Sequence, residues 1–504
     1  MSLGPLGKSK LPLGLAAGSI LAAWATRQAC APPLDRWLPL ADAGLAAWQF
    51  YRALLPLWSP DRRVVLRLWG LEWTRDEACC HFFVTGATGT GKTARAVVPI
   101  LHGLRRTLPA TGILAIDSKG VLWRPLCEIA RALGQENDLR LIRVRPTEIP
   151  REEWQPPLRL NFLADRSVPW VTYAKMIVDT ATASGQRGGQ AFFKEAARDA
   201  ITHAMQALDL AGLPVALDRV HDAICTSPGN SRLLEKLDKA LQSDSPRAAE
   251  AKIERQYFSD FIAQPPEQKA GTVFTVANFL RPYTPPDIAE VVGATEPNFS
   301  LAEIDQGRVV CLSVPQTYQV ERKYLNLLCK QLFFLHAFRR FDLDAAELHR
   351  RNLIGLVLDE GQKTTLVSED GFADHATVDE LREAGVFLIS ATQTPLSFHA
   401  SFATELKADV FMANHRTQIH FRAADEKGAR IISEKMGGRE IRKYSGGVNG
   451  SQRARNWQLS DEPWFKPAQL LALRDGCAVI RHPRQTGRPL LRRLPFTSFT
   501  DPNG

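Results

Sequence analysis

A chain of 504 residues with 45% hydrophobic and 23% charged content has ordinary globular composition and suggests about two or three domains. Its net charge of +9 favours a polyanionic partner or an anionic membrane surface without choosing between them. Eight cysteines with no Cys-x-x-Cys spacing argue against a zinc site or a disulfide framework and fit a reducing cytosol.

The N-terminal 1–65 region is predicted as an apolar segment. Residues 11–26 are uncharged and bounded by Lys8, Lys10 and Arg27, but they hold Pro12 and are shorter than the about 20 apolar residues a spanning helix wants. Residues 37–58 carry only Asp42 and Arg52, and Arg62, Arg63 and Arg67 follow. A membrane hairpin with both ends on the cytoplasmic side satisfies the positive-inside bias. A peripheral or soluble amphipathic segment is the alternative.

From residue 81 to about 180, short β-like runs alternate with helical stretches, which predicts a mainly parallel sheet with helices on both faces. The apolar run Phe82-Phe83-Val84 leads into Gly86-Ala87-Thr88-Gly89-Thr90-Gly91-Lys92-Thr93, a complete phosphate-binding loop. Its glycines let backbone N–H groups turn toward a β-phosphate. Lys92 is placed to reach the β/γ oxygens and the Thr93 hydroxyl to ligate Mg²⁺. The chain is therefore expected to bind ATP with Mg²⁺. Residues 112–117 and 139–144 are further strand candidates.

The pattern changes at the glycine-rich break 185–189. Phe193, Ala197, Ala200, Ile201, Ala204, Met205 and Leu208 recur at three- and four-residue spacing until Gly212 and Pro214. Residues 185–295 read as an all-helical domain inserted into an α/β domain made of residues 66–184 and 296–504. Strand signals return at 308–314, 353–358, 386–391, 418–421 and 477–481, and residues 446–452 read as a flexible loop.

The run Leu353-Ile354-Gly355-Leu356-Val357-Leu358 ends in Asp359-Glu360. ATP hydrolysis needs a carboxylate near Mg²⁺ and a group that orients and deprotonates water, roles that suit Asp359 and Glu360 respectively. The strand 386–391 runs into Thr392-Gln393, where the Gln393 amide is placed to touch a γ-phosphate. Arg382, near the end of the helix-like stretch 377–384, is a candidate to reach a neighbouring subunit's γ-phosphate in a ring. Arg481, Arg484, Arg488, Arg492 and Arg493 fall in a run with no acid, suited either to tracking phosphates or to a solvated face.

Gly86 to Thr93, then Val98-Pro99-Ile100-Leu101, Asp117-Ser118-Lys119-Gly120, Leu160-Asn161-Phe162-Leu163 and Phe192-Phe193 resemble, in this order, the signature of type IV coupling proteins of the TraG/TraD kind. Asp359-Glu360, Ala391-Thr392-Gln393 and the stretch from Ala429 to Gly437 continue it, so that the resemblance covers about residues 80–500. The chain departs from the pattern at Val121, where the family usually has Glu, and at Gly361, where it usually has an apolar residue. The resemblance implies a hexameric, RecA-like P-loop ATPase anchored at the inner membrane. It would deliver DNA, with bound relaxase, to the channel proteins of a type IV secretion system. It also implies that Arg382 acts across the subunit interface. An FtsK/HerA-like DNA translocase and a docking ATPase that presents protein substrates to a secretion channel are the alternatives.

Overall fold

The computed structural model describes residues 45, 46, 48, 63–185, 191–242, 246–449, 452–484 and 488–497. The expected membrane hairpin of residues 1–65 lies almost wholly outside them. Among the described residues no helix is long and apolar enough to cross a membrane. The chain divides into two compact units, one ending at Ala78 and one beginning at Cys79.

The first unit contains a hairpin of β1 (Val64–Leu68) and β2 (Leu71–Thr74), paired antiparallel. Its two turn residues, Trp69 and Gly70, both take positive φ (56° and 77°), the conformation that matches the twist of a tight hairpin. Arg67 faces Glu72 across the ladder at 2.9 Å. This hairpin was not expected, because Trp-Gly is not one of the usual sequence signals for such a turn.

The second unit is built on a nine-stranded sheet. Its strands are β3 (Phe82–Thr85), β4 (Gly112–Asp117), β5 (Leu139–Arg143), β6 (Val309–Ser313), β7 (Ile354–Asp359), β8 (Val386–Thr392), β9 (Thr417–His420), β12 (Cys477–Arg481) and β13 (Leu490–Arg493). They lie in the order β13-β12-β9-β3-β8-β7-β4-β6-β5. The seven from β9 to β5 run parallel, while β12 and β13 turn antiparallel at one edge. Every residue of β3, β4, β7 and β8 is buried, as continuous apolar runs in a sheet covered on both faces should be. The order sets β8 between the strand that leads into the glycine loop and the strand that ends in two acids. The expected strands fall within one or two residues of the observed ones, and β13 is an addition.

Between β5 and β6 the chain is helical: Trp170–Ala183, Ala191–Leu210, Leu217–Cys225, Ser227–Leu241, Ala248–Ala263, Pro266–Leu280 and Pro286–Val292. The periodic residues Ala197, Ala200, Ile201, Ala204, Met205 and Leu208 are buried as their spacing predicts, in an apolar core that continues to Phe83, Ile116, Leu312 and Leu358 of the sheet. Helix Gln319–Phe338 adds a buried ion pair, Lys330 Nζ to Asp374 at 2.7 Å, and the same ammonium donates to the Thr364 carbonyl at 2.8 Å.

One helix start is irregular and one expectation needs correction. The helix after the glycine loop opens as a π-turn, Thr93–Val97, before the α-helix Val98–Thr107. Pro99 has no N–H for the Arg95 carbonyl, and Val98 N–H bonds five residues back to Thr93 O. The stretch 446–452, read as a loop, lies largely in strands. β10 (Gly438–Asn449) and β11 (Gln452–Pro463) pair antiparallel from Gly438↔Pro463 to Asn449↔Gln452, as a two-stranded sheet separate from the large one. Two adjacent glycines broke the alternation from which a strand is read.

Candidate phosphate and hydrolysis site at one edge of the sheet

The glycine loop leaves the C-terminal end of β3. Gly86 is required there by close approach, and Gly91 by its left-handed φ of 92°. A Cβ on Gly86 would stand 2.6 Å from Phe421 Cβ, and one on Gly91 would stand 2.7 Å from the Arg95 side chain. The loop is tied to its neighbours by main-chain bonds from Gly86 N–H to Gln393 O (3.3 Å) and Ala87 N–H to Arg422 O (2.8 Å). Inside it, Thr90 Oγ1 donates to Ala87 O at 2.8 Å. The Lys92 ammonium folds over the loop, donating to Gly86 O at 2.6 Å and Ala87 O at 3.1 Å. Thr88 and Gly89 form the tip, and Thr93 opens the following helix.

Two strands away, β7 delivers Asp359 and Glu360 to the same edge. Both are buried, and β4 sets Asp117 beside Asp359 in register. Glu360 sits in the left-handed region at φ 54°, where β7 breaks into the short turn Gly361–Thr364. Its Oε1 accepts from Lys119 Nζ at 2.7 Å and from Gln393 Nε2 at 3.4 Å, and its Oε2 pairs with Lys363 Nζ at 2.5 Å. Asp117 caps the loop that carries Lys119, accepting from Lys119 N–H (2.9 Å), Gly120 N–H (2.8 Å) and Leu122 N–H (2.5 Å). In the sequence Lys119 stands in the run Asp117-Ser118-Lys119-Gly120 with no role of its own, and Lys363 belongs to no motif. The spacing of three from Glu360 to Lys363 is the one signal that could have raised it.

The edge is a compensated cluster of three ammonium groups and three carboxylates. Burial raises the Asp359 carboxyl above its usual range, and Asp117 and Glu360 push it the same way against Lys119 and Lys92. Burial also opposes ionisation of Glu360, but the bonds from Lys119 and Lys363 outweigh it and hold that carboxyl down at about 2. Lys119 is held above its ordinary value, its desolvation overcome by Glu360, Asp359 and Asp117. Lys92 is lowered by burial and by Lys119. The fit to a triphosphate with Mg²⁺ is good: a lysine lies over a tight glycine loop, a threonine follows at a helix start, and a buried carboxylate stands nearby.

The structure thus brings Lys92, Thr93, Asp359, Glu360 and Gln393 to one edge. Arg382 lies elsewhere. It is exposed, caps the helix Asp374–Leu381 and precedes β8, whose other end carries Gln393. Six residue steps along β8 separate the two edges by about 20 Å. The basic residues Arg481, Arg484, Arg488, Arg492 and Arg493 are all exposed, on or beside β12 and β13.

Over residues 61–486 the sequence matches the family described as type IV secretory system conjugative DNA transfer. No curated protein matches the chain. Among solved structures, the unbound bacterial conjugative coupling protein TrwBdeltaN70 superposes with a TM-score of 0.58 at 15% identity, covering 88% of this chain and 91% of that one. Plasmid coupling protein TrwB in complex with ADP and Mg²⁺ gives 0.56 at 15% identity, covering 86% and 89%. TrwB with the non-hydrolysable analogue ADPNP gives 0.58 at 15% identity over the same shares. At this identity the likeness is one of fold: a mainly parallel, P-loop NTPase-type α/β sheet with added helices.

Proposed function

The chain belongs to the type IV secretory system conjugative DNA transfer family, the coupling proteins of conjugation, and on that premise we propose that it hydrolyses ATP to drive DNA toward a secretion channel. The observation that carries this reading is the convergence of Lys92, Asp359, Glu360 and Gln393 at the C-terminal ends of β3, β7 and β8. Lys92 neutralises phosphate charge, aided by N–H groups of the loop Gly86 to Thr93. Thr93 and Asp359 would hold Mg²⁺, which would supply further neutralisation of the phosphate oxygens. Glu360 takes the proton of the attacking water, and Gln393 senses the γ-phosphate.

A carboxylate held at about 2 is a weak proton acceptor. Glu360 therefore gains basicity when Lys119 or Lys363 is drawn from it, and anionic phosphate oxygens are what would attract either lysine. The separation of Arg382 from its own site supports the reading that it serves a neighbouring subunit in a ring, which we take to be a homo-hexamer. The division into residues 66–184 with 296–504 and an inserted helical domain of 185–295, attachment to the cytoplasmic face of the inner membrane through residues 1–65, and delivery of a DNA-bound relaxase complete the proposal.

Measuring ATP turnover of the full chain with and without DNA tests it. Turnover is expected to rise with DNA and to vanish in Lys92→Ala, which also loses nucleotide binding. Turnover indifferent to single- and double-stranded DNA alike would favour a docking ATPase for protein substrates.

A further inference from the structure

We propose that one face of the β10–β11 ribbon is a binding strip for single-stranded nucleic acid, with bases stacking on Tyr444 and Trp457. The inference deepens the proposed function and rests on its premise that the chain handles DNA. The register sets Tyr444 directly opposite Trp457, and Arg442 directly opposite Leu459. Directly opposed residues share a face, and so do residues two apart, so all four side chains lie on the same side. Tyr444 is 63% exposed, Trp457 57% and Leu459 50%. The Arg442 guanidinium stands 5.1 Å from the Trp457 ring centroid, so a cation and a π-face are offered together.

Charge complementarity names the occupant. The acids Glu440, Asp461 and Glu462 sit at the root of the ribbon, where Glu462 pairs with Lys443 and Lys466 at 3.4 Å each. Between Ile441 and Ser460 the sequence carries, besides the paired Lys443, Arg442, Arg453 and Arg455 and no acid. Cations that follow a phosphate backbone, interleaved with exposed aromatic rings, are the means by which single strands are held without reading sequence. A duplex hides its base faces in the stack, so it cannot use the rings. Edge protection accounts for charge on a free strand, but it calls for no exposed tryptophan and tyrosine on a common face. The ribbon pairs with no strand of the nine-stranded sheet. It is anchored at its root by Trp464 N–H to Gly437 O (3.0 Å) and Ser433 Oγ to Phe465 O (2.7 Å).

The test titrates the full chain into a labelled oligothymidylate and, separately, a labelled duplex, following anisotropy. Trp457→Ala should weaken oligothymidylate binding about tenfold, the loss of one stacked base, and Trp457→Phe should retain most of it. Arg442→Gln should lower the salt dependence of binding by about one phosphate contact. Duplex affinity and DNA-free ATP turnover should stay at the wild-type level in all three. Oligothymidylate binding unchanged in Trp457→Ala overturns the inference and leaves the proposed function standing. Weaker binding accompanied by altered sedimentation of the DNA-free protein also overturns it, because the ribbon would then be holding a second copy. A wild-type chain that binds neither probe overturns the proposed function and this inference together.

Discussion

The two edges of the parallel sheet differ in what they bury. At the C-terminal edge Lys92, Lys119, Lys363, Asp117, Asp359 and Glu360 compensate one another, and Glu360 holds a left-handed φ of 54°. At the N-terminal edge the corresponding left-handed residue is His81, φ 63°, wholly buried and uncharged. Its Nδ1 accepts from Leu388 N–H at 3.0 Å and its Nε2 donates to Val378 O at 3.0 Å. Burial, with Arg382 and Arg416 nearby, pushes the imidazole down to about 4. A non-glycine residue in this region costs of order 1 kcal/mol and persists where its surroundings fix it. Strain of this kind thus marks the acid that we make the base at one edge and the support of the Arg382 helix at the other. On the role proposed for Arg382, one subunit would hold both halves of a hydrolysis site a sheet's length apart, and two subunits would be needed to bring them together.

The largest expected effect breaks that comparison if it is wrong. Arg382→Ala should bind ATP normally and lose DNA-stimulated hydrolysis about a thousandfold, the scale of an arginine acting on the γ-phosphate from a neighbour. Mixing Arg382→Ala with Glu360→Gln should restore part of the rate, since some interfaces then pair an intact Glu360 with an intact Arg382. An absence of recovery in rings proven to exchange subunits would return Arg382 to a structural role. Glu360→Gln alone should keep nucleotide binding and lose turnover by roughly a hundredfold or more, as removal of a general base does. Near-normal turnover would mean that another group is the base.

Lys119→Met sharpens the account of the charged edge. It removes one of the two cations that hold Glu360 at about 2, so the Glu360 carboxyl should move upward. The working form is ionised and is lost as pH falls, so the acid limb of the pH–rate profile should shift to higher pH by roughly one unit. Turnover near neutrality should change by no more than about tenfold. A limb that stays in place identifies a different titrating base.

The parts of the site legible in the sequence are those in which residue type and adjacency carry the chemistry. The glycine loop and the pair Asp359-Glu360 each occupy one uninterrupted run, and the apolar runs before them announce β3 and β7. The clamp on Glu360 was not legible. Lys119 reaches it only because Asp117 folds the loop after β4 back over the strand end, a contact across 241 residues of chain that no local pattern encodes. The ribbon was hidden for a different reason: its pairing is stabilised by cross-strand neighbours, while its glycines read as a loop. Arg382 was found by its place before the Gln393 strand, but its distance from the phosphate loop needed the sheet order.

The smallest expected effect concerns the buried histidine of the N-terminal edge. A histidine whose folded value is lowered binds fewer protons than it does unfolded, so stability is lost as pH falls. For His81 the loss begins near 6.5, where the unfolded imidazole takes up a proton, and levels off near 4, where the folded one does. Within that window it amounts to about 1 kcal/mol per pH unit. His415 and His420, each buried and pushed down to about 3, add to the same slope. Asparagine tolerates the left-handed φ of position 81 but cannot reach both Leu388 N–H and Val378 O. His81→Asn should therefore be less stable than the wild type near pH 7.5, by about 1–3 kcal/mol for an unpaired buried group. It also lacks the titrating ring, so the difference should narrow steadily as pH is lowered from 6.5 toward 4. Thermal unfolding of the two proteins side by side across that range measures it. A constant gap would show that His81 is free to protonate in the fold, and the contrast between a buried neutral imidazole at one edge and the compensated charges at the other would fall with it.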